Sequence, residues 1–83
     1  GYRNKFTAIT MKKEGVVSGV ADLILLKSNS QHSALCIEMK YGKNTQSDKQ
    51  KEFQQVAEAN GNKYVICRSF DEFRIEIESY LNA

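Results

Sequence analysis

The residues best suited to chemistry in this sequence are two acids and a lysine: Asp22, Glu38 and Lys40. Glu38 and Lys40 stand two apart in the segment CIEMK, residues 36–40, so on a strand both side chains would point to the same face. Burying an ionised group is costly unless the group is paired or bound to a cation. Two interpretations stay open: an ion pair of Lys40 with either acid at a sheet edge, or two carboxylates whose repulsion a divalent cation relieves.

Two predicted strands position these residues. The segment VADLILLK, residues 20–27, is apolar almost throughout, as expected of a strand that is covered on both faces. A polar turn, residues 28–33, separates it from ALCIEMKY, residues 34–41, and this pattern predicts an antiparallel hairpin. Such a hairpin would bring Asp22, at the start of the first strand, beside Glu38 on the second.

Two helices and a third strand follow the hairpin. A helix is expected over residues 48–60, a strand over residues 63–69, and a last helix after Ser69, whose hydroxyl forms an S-x-x-E capping box with Glu72. The apolar faces are expected to be Phe53, Val56 and Ala57 in the first helix and Phe73, Ile77 and Leu81 in the second. The strand–helix–strand crossover implies that the second and third strands run parallel.

A further helix is predicted before the hairpin, over residues 5–14, with Asn4 as its cap and Gly15 as its stop signal. The predicted order of elements is therefore α-β-β-α-β-α. The predicted fold class is α/β, a mixed β-sheet flanked by helices. At 83 residues the chain is long enough for one small domain, residues 1–83.

Composition and charge narrow the function classes. The net charge of +2 and the isoelectric point of about 8.6 lean only weakly towards a polyanionic partner. Cys36 and Cys67 lie in apolar stretches without metal-site spacing, which predicts reduced thiols in the core. No apolar run approaches the roughly 20 residues that cross a bilayer, and no signal peptide is visible, so the sequence predicts a soluble, cytoplasmic protein.

The order and spacing of the charged residues resemble a known family. Asp22 followed by Glu38-Met39-Lys40 matches the D…ExK signature of PD-(D/E)xK nucleases. The segments KKEGVVSGVADLILL, IEMKYGKNTQSDKQ and GNKYVICRSFDE resemble the VRR-NUC branch of that superfamily in order and wording, over about residues 12–81. The resemblance implies a restriction-endonuclease-like fold.

The resemblance also implies roles for individual residues. Asp22, Glu38 and the backbone carbonyl of Met39 would bind Mg²⁺ or Mn²⁺. Lys40 would orient water or stabilise negative charge on the phosphate, and Gln50 would line the site from its helix. Gln50 has a second interpretation, because Ser47-Asp48-Lys49-Gln50 is itself a capping box. Among a wider set of basic residues that includes Arg68, those favoured for DNA contact are Lys12, Lys13, Lys43 and Lys49.

The function implied by the resemblance is that of a metal-dependent DNA endonuclease that hydrolyses phosphodiester bonds. Stand-alone members resemble Holliday-junction resolvases, which implies a branched DNA substrate and a homodimer. The alternative is a nuclease-fold DNA-binding module that is catalytically weak or inactive.

Two departures from the family pattern support this alternative. Ala21 replaces the family's proline, and an upstream helix with a glutamate has no counterpart in the chain. Glu14, the only acid before Asp22, stands beside the glycine loop instead. Either the protein works without that glutamate, or an upstream N-terminal helix is missing from the chain.

Overall fold

A computed structural model of the protein describes residues 18–83. The predicted helix over residues 5–14 lies outside these described residues, as do Lys12 and Lys13. The elements in chain order are β1 (Leu23–Leu25), β2 (Leu35–Met39), α1 (Asp48–Ala59), β3 (Lys63–Cys67) and α2 (Phe70–Leu81).

The three strands form one mixed sheet in the order β1-β2-β3. β1 pairs antiparallel with β2, with Leu23 opposite Ile37 and Leu25 opposite Leu35. β3 pairs parallel with β2, with Cys36 opposite Tyr64. The α/β class, the hairpin and the parallel crossover are therefore confirmed, and the order of the described elements is β-β-α-β-α.

The first strand is shorter than predicted, three residues instead of the eight of residues 20–27. Its pairing with β2 ends at Leu25, and groups further along the chain have other partners. The carbonyl of Lys27 accepts a hydrogen bond from the Tyr80 hydroxyl. The side chain of Asn29 accepts from the amides of Gln31 and His32, at 2.9 and 2.7 Å, which closes the turn.

Each face of the sheet carries one helix and one apolar cluster. On the α1 face the buried cluster contains Ala21, Cys36, Ala57 and Tyr64, with Phe53 packed against it. On the α2 face the buried cluster contains Leu35, Ile37, Cys67 and Tyr80, with Phe73 and Ile77 packed against it. Both cysteines are free and buried, which confirms the prediction of reduced core thiols.

The predicted apolar faces of the helices are wrong at two positions. Val56 is 62% exposed, because α1 contacts the sheet through Phe53 and Ala57 instead. Leu81 is also exposed, and Tyr80 takes the buried position next to it. Tyr80 is favoured there because its ring fills the core while its hydroxyl reaches the carbonyl of Lys27.

The two predicted capping boxes differ in outcome. In α1 the box is complete, since Ser47 Oγ accepts from the amide of Gln50 and Gln50 Oε1 accepts from the amide of Ser47. In α2, Ser69 Oγ accepts from the amide of Glu72 at 3.1 Å. Glu72 Oε1, however, accepts from the amide of Arg68 at 2.7 Å rather than from Ser69. Only half of the second box is therefore formed.

Neither of the helices in residues 18–83 is long and apolar enough to cross a membrane.

Candidate functional site

The site is centred on a carboxylate near the carboxyl end of β2. Within residues 18–83, Glu38 is the only polar or charged residue in the buried class, with 3% of its surface exposed. Its Oε2 atom accepts a hydrogen bond of 3.0 Å from Gln50 Nε2 and lies 3.8 Å from Lys40 Nζ. An ionised carboxylate this deeply buried needs such partners, because desolvation alone costs several kcal/mol.

Asp22 stands across the hairpin from this carboxylate. Continuing the β1–β2 register by one residue beyond Leu23 and Ile37 sets Asp22 opposite Glu38. Directly opposed residues of an antiparallel pair share a face, so both acids belong to the α1 face. Asp22 Oδ2 also accepts a 2.8 Å hydrogen bond from the amide of Met39, and this bond fixes the acid at the end of β2.

The side chain of Gln50 makes two hydrogen bonds, one at the start of α1 and one to Glu38. Its Oε1 atom accepts from the amide of Ser47 at 2.9 Å, as a capping-box side chain does. Its Nε2 atom donates to Glu38. One side-chain amide therefore fixes the start of α1 and orients the buried carboxylate.

A glycine holds the hairpin entry against the start of α1. Gly19 has a φ of +88°, a conformation that residues with a Cβ rarely adopt. A Cβ atom at this position would also overlap the backbone carbonyl of Lys49, in the first turn of α1. The chain can therefore approach α1 this closely, at the residue before Gln50, only with glycine at position 19.

A polar chain next to the carboxylates was not anticipated from the sequence. Gln46 Nε2 donates to Gln54 Oε1 at 2.9 Å and to the Tyr64 hydroxyl at 3.3 Å. Burial raises the pKa of Tyr64, the hydrogen bond from Gln46 opposes that rise, and the negative charges of Glu38 and Asp22 add to it. The only sequence signal was a tyrosine, Tyr64, within the predicted third strand.

The predicted DNA-contacting lysines fall into two groups. Lys12 and Lys13 lie outside the described residues. Lys43 and Lys49 are both exposed: Lys43 lies in the loop between Lys40 and α1, and Lys49 lies in the first turn of α1. Lys49 lies 3.5 Å from Glu52, whereas no acid of residues 18–83 forms an ion pair with Lys43.

The donor set suits a hard divalent cation, which prefers one or two carboxylates completed by carbonyl and water oxygens. Asp22, Glu38 and the Met39 carbonyl would supply these oxygens. No cluster of three His, Cys, Asp or Glu side chains within residues 18–83 could hold a metal ion. The ion-pair interpretation is realised as well, since Lys40 lies beside Glu38.

Comparison with known proteins identifies the family. No curated protein and no solved structure matches the chain. A family model described as the VRR-NUC domain matches residues 2–71, which confirms the resemblance. The matched stretch includes Asp22, Glu38, Lys40 and Gln50. The chain therefore belongs to the VRR-NUC family, as a nuclease-type domain whose implied partner is DNA.

Proposed function

We propose that this domain is a metal-dependent endonuclease that hydrolyses phosphodiester bonds in branched DNA, with Holliday junctions as the model substrate. The observation that carries the proposal is the buried carboxylate of Glu38, held by Gln50 beside Lys40 and on the same face as Asp22. Such a group of charges is weak evidence of stabilisation, because well-packed apolar side chains would serve a core equally well. It is better explained by chemistry on an anionic substrate.

The metal would be held by Asp22, Glu38 and the backbone carbonyl of Met39. When bound, Mg²⁺ or Mn²⁺ supplies Lewis-acid stabilisation of the phosphate and a lower pKa for coordinated water. The hydrogen bond from the Met39 amide orients Asp22, and the one from Gln50 orients Glu38. These bonds give the two ligands fixed directions, as the outer contacts of metal ligands commonly do.

Lys40 provides a positive charge at the same place. Its ammonium is largely buried and lies next to Glu38, so its direction is restricted. A fixed ammonium stabilises the negative charge that develops on the phosphate and can hold the attacking water. The exposed lysines Lys43 and Lys49, together with Lys12 and Lys13, contact the phosphate backbone and add salt-dependent affinity that does not depend on sequence.

A homodimer suits both the substrate and the surface. Two active sites related by a two-fold axis match the symmetry of a four-way junction. An apolar groove of about 310 Å³ on the α2 face is lined by Leu23, Met39, Tyr41, Phe70 and Phe73. Tyr41 is 65% exposed and Phe70 is 72% exposed, and a second copy would cover such surface.

One observation favours a second candidate function, a DNA-binding module with little or no cleavage. Glu38 Oε2 already receives both Gln50 and Lys40, so its charge is compensated within the chain. In such a module the same lysines hold DNA, and the acids serve as an ion-pair network.

The deciding experiment is cleavage of a labelled four-way junction beside a matched duplex and a flap. Each substrate is incubated with Mg²⁺, with Mn²⁺ and with EDTA, using wild-type protein and Asp22→Ala. We expect symmetric nicking of the junction that requires metal and disappears in Asp22→Ala. Cutting of the duplex or the flap instead would retain the nuclease and reject the substrate. Junction binding without cutting in either metal would support the binding module.

A further inference from the structure

The loop between Lys40 and α1, residues 41–47, is attached to the rest of the fold at two points. At its far end Gln46 donates to Tyr64 and Gln54. Near its start Arg68, which follows β3, reaches across the end of the sheet. Arg68 Nη1 donates to the carbonyl of Gly42 at 3.1 Å and to the carbonyl of Asn44 at 2.8 Å. The loop is therefore fixed on both sides of Lys43.

The turn inside this loop has a defined shape. The amide of Asn44 donates to the carbonyl of Tyr41 at 3.2 Å, which closes a four-residue turn. Gly42 has a φ of +59°, and no non-glycine residue of the described part has a positive φ. A positive φ at the first central position alone is typical of a type II′ turn. Lys43 therefore occupies the second central position, at the exposed tip.

Arg68 itself is held in place for this contact. Its amide donates to the Glu72 carboxylate, which ties the backbone of Arg68 to the start of α2. A guanidinium that donates to backbone carbonyls forms charge-assisted hydrogen bonds, stronger than those between neutral groups. The two carbonyls that it contacts belong to the residues immediately before and after Lys43.

We propose that Arg68 is a positioning residue that braces this turn and presents Lys43 to a DNA phosphate next to the cleavage site. The inference rests on the proposed function, and it gives Arg68 a role other than the phosphate contact suggested by its charge. In a braced turn the backbone at Lys43 is already ordered, so it loses little conformational entropy when DNA binds. More of the favourable electrostatic energy between the Lys43 ammonium and a phosphate therefore contributes to affinity. Lys43 is exposed and forms no ion pair with an acid of residues 18–83, so its ammonium is available to a phosphate.

The test is a double-mutant cycle on equilibrium binding. Anisotropy of a labelled four-way junction is measured in EDTA, over a range of salt, for wild type, Lys43→Ala, Arg68→Ala and the double variant. Loss of one phosphate contact should weaken binding about 5- to 10-fold and lower the salt slope by about 0.9. We expect each single variant to show this loss and the double variant to bind no more weakly than either.

Two outcomes of the cycle would overturn the proposal. If the losses multiply and the salt slope falls by about 1.8, Arg68 contacts a phosphate itself. If Arg68→Ala binds the junction with the affinity of wild type, the brace does not contribute to DNA binding. A wild-type protein that neither binds nor cuts DNA would reject the proposed function along with the brace. Binding with independent contributions from Arg68 and Lys43 would reject the brace alone.

A matched control and a direct measurement exclude a general effect on folding. Arg74→Ala removes the same charge from an arginine on α2 that pairs with Glu78 at 3.1 Å, so its DNA binding should match wild type. Hydrogen exchange of the Asn44 amide reports the turn without DNA. Exchange should accelerate in Arg68→Ala and stay unchanged in Arg74→Ala. Unchanged protection of Asn44 in Arg68→Ala would overturn the brace.

Discussion

The two faces of the sheet use alternating residues of the same strands, yet they are packed differently. On the α2 face, Leu35, Ile37 and Tyr80 are at most 1% exposed and pack together in one apolar cluster. On the α1 face, the alternating position is Glu38, and the helix contributes Gln50 where an apolar side chain would otherwise pack. The α2 face is therefore packed almost entirely by apolar groups, whereas the α1 face combines an apolar cluster with a buried carboxylate and its polar partner.

The largest expected effect is a loss of stability from the α2 face. Ile37→Ala leaves a cavity among fully buried neighbours and should lower the free energy of unfolding by about 2–5 kcal/mol. Urea denaturation measures the change. Ile75→Ala is the matched control, because Ile75 is 55% exposed and its loss should stay within about 0.5 kcal/mol. Similar losses in both variants would remove the contrast between core and surface on this face.

An effect of similar size is expected where the hairpin entry meets α1. Gly61→Ala is the control for strain from a positive φ alone, because its φ is +83° and its Cβ would meet only Ser33 Oγ at 3.8 Å. It should lower the free energy of unfolding by about 1–2 kcal/mol. Gly19→Ala should lower the free energy of unfolding by about 1–3 kcal/mol more than Gly61→Ala does, because its Cβ would overlap the Lys49 carbonyl. Thermal unfolding measures both. Equal losses would show that the contact of Gly19 with α1 contributes nothing.

The two roles of Gln50 can be separated by a pair of substitutions. Gln50→Glu keeps an acceptor for the Ser47 amide but removes the donor to Glu38, so cleavage should fall about 10- to 100-fold. Ser47→Ala removes only the helix cap and should cost about 0.5–2 kcal/mol of stability. Its cleavage rate per folded molecule should match wild type. A large loss of cleavage in Ser47→Ala would mean that the cap and the site are not separable.

The smallest effect is expected at alkaline pH, where both faces contribute. Burial raises the pKa of the Cys36 thiol on the α1 face and of the Cys67 thiol on the α2 face. In the unfolded chain the thiols ionise near their ordinary value of 9.0, before those of the folded protein do. Their contribution to stability is therefore complete below pH 9.0 and is lost as the pH rises through the folded-state values.

The measurement is the urea midpoint between pH 8 and pH 10.5, for wild type and for Cys36→Ala with Cys67→Ala. The double variant should be less stable at pH 8 but should lose less stability as the pH rises. An identical pH dependence in the two proteins would exclude the thiols as its cause.

Local patterns were sufficient to predict most of the fold. The alternation of strand side chains put Glu38 and Lys40 on one face, and the S-x-x-Q motif set the start of α1 at Asp48. The choice between Tyr80 and Leu81 could not be predicted, because both lie near the buried side of α2. Tyr80 takes the buried position because its hydroxyl donates a hydrogen bond to the carbonyl of Lys27, which is distant in sequence.

The parts of the site that were missed depend on contacts between distant segments. Gln46 reaches Tyr64 from 18 positions away, and Arg68 reaches the carbonyl of Gly42 from 26 positions away. Neither contact has a periodicity or a local motif that would reveal it. Charge alone placed Arg68 in the wider set of basic residues from which the DNA contacts were chosen, and it was not among those favoured. Its contact with the loop depends on where the end of β3 lies in the sheet.

The two-ended use of Gln50 has a consequence for how this domain can change during evolution. Its amide oxygen serves the helix and its amide nitrogen serves the buried acid. Glutamate has the same length but no donor, and asparagine has both groups on a side chain one methylene shorter. No other side chain of that length carries both groups. At position 50 the cap of α1 and the buried carboxylate of Glu38 therefore require the same single amino acid.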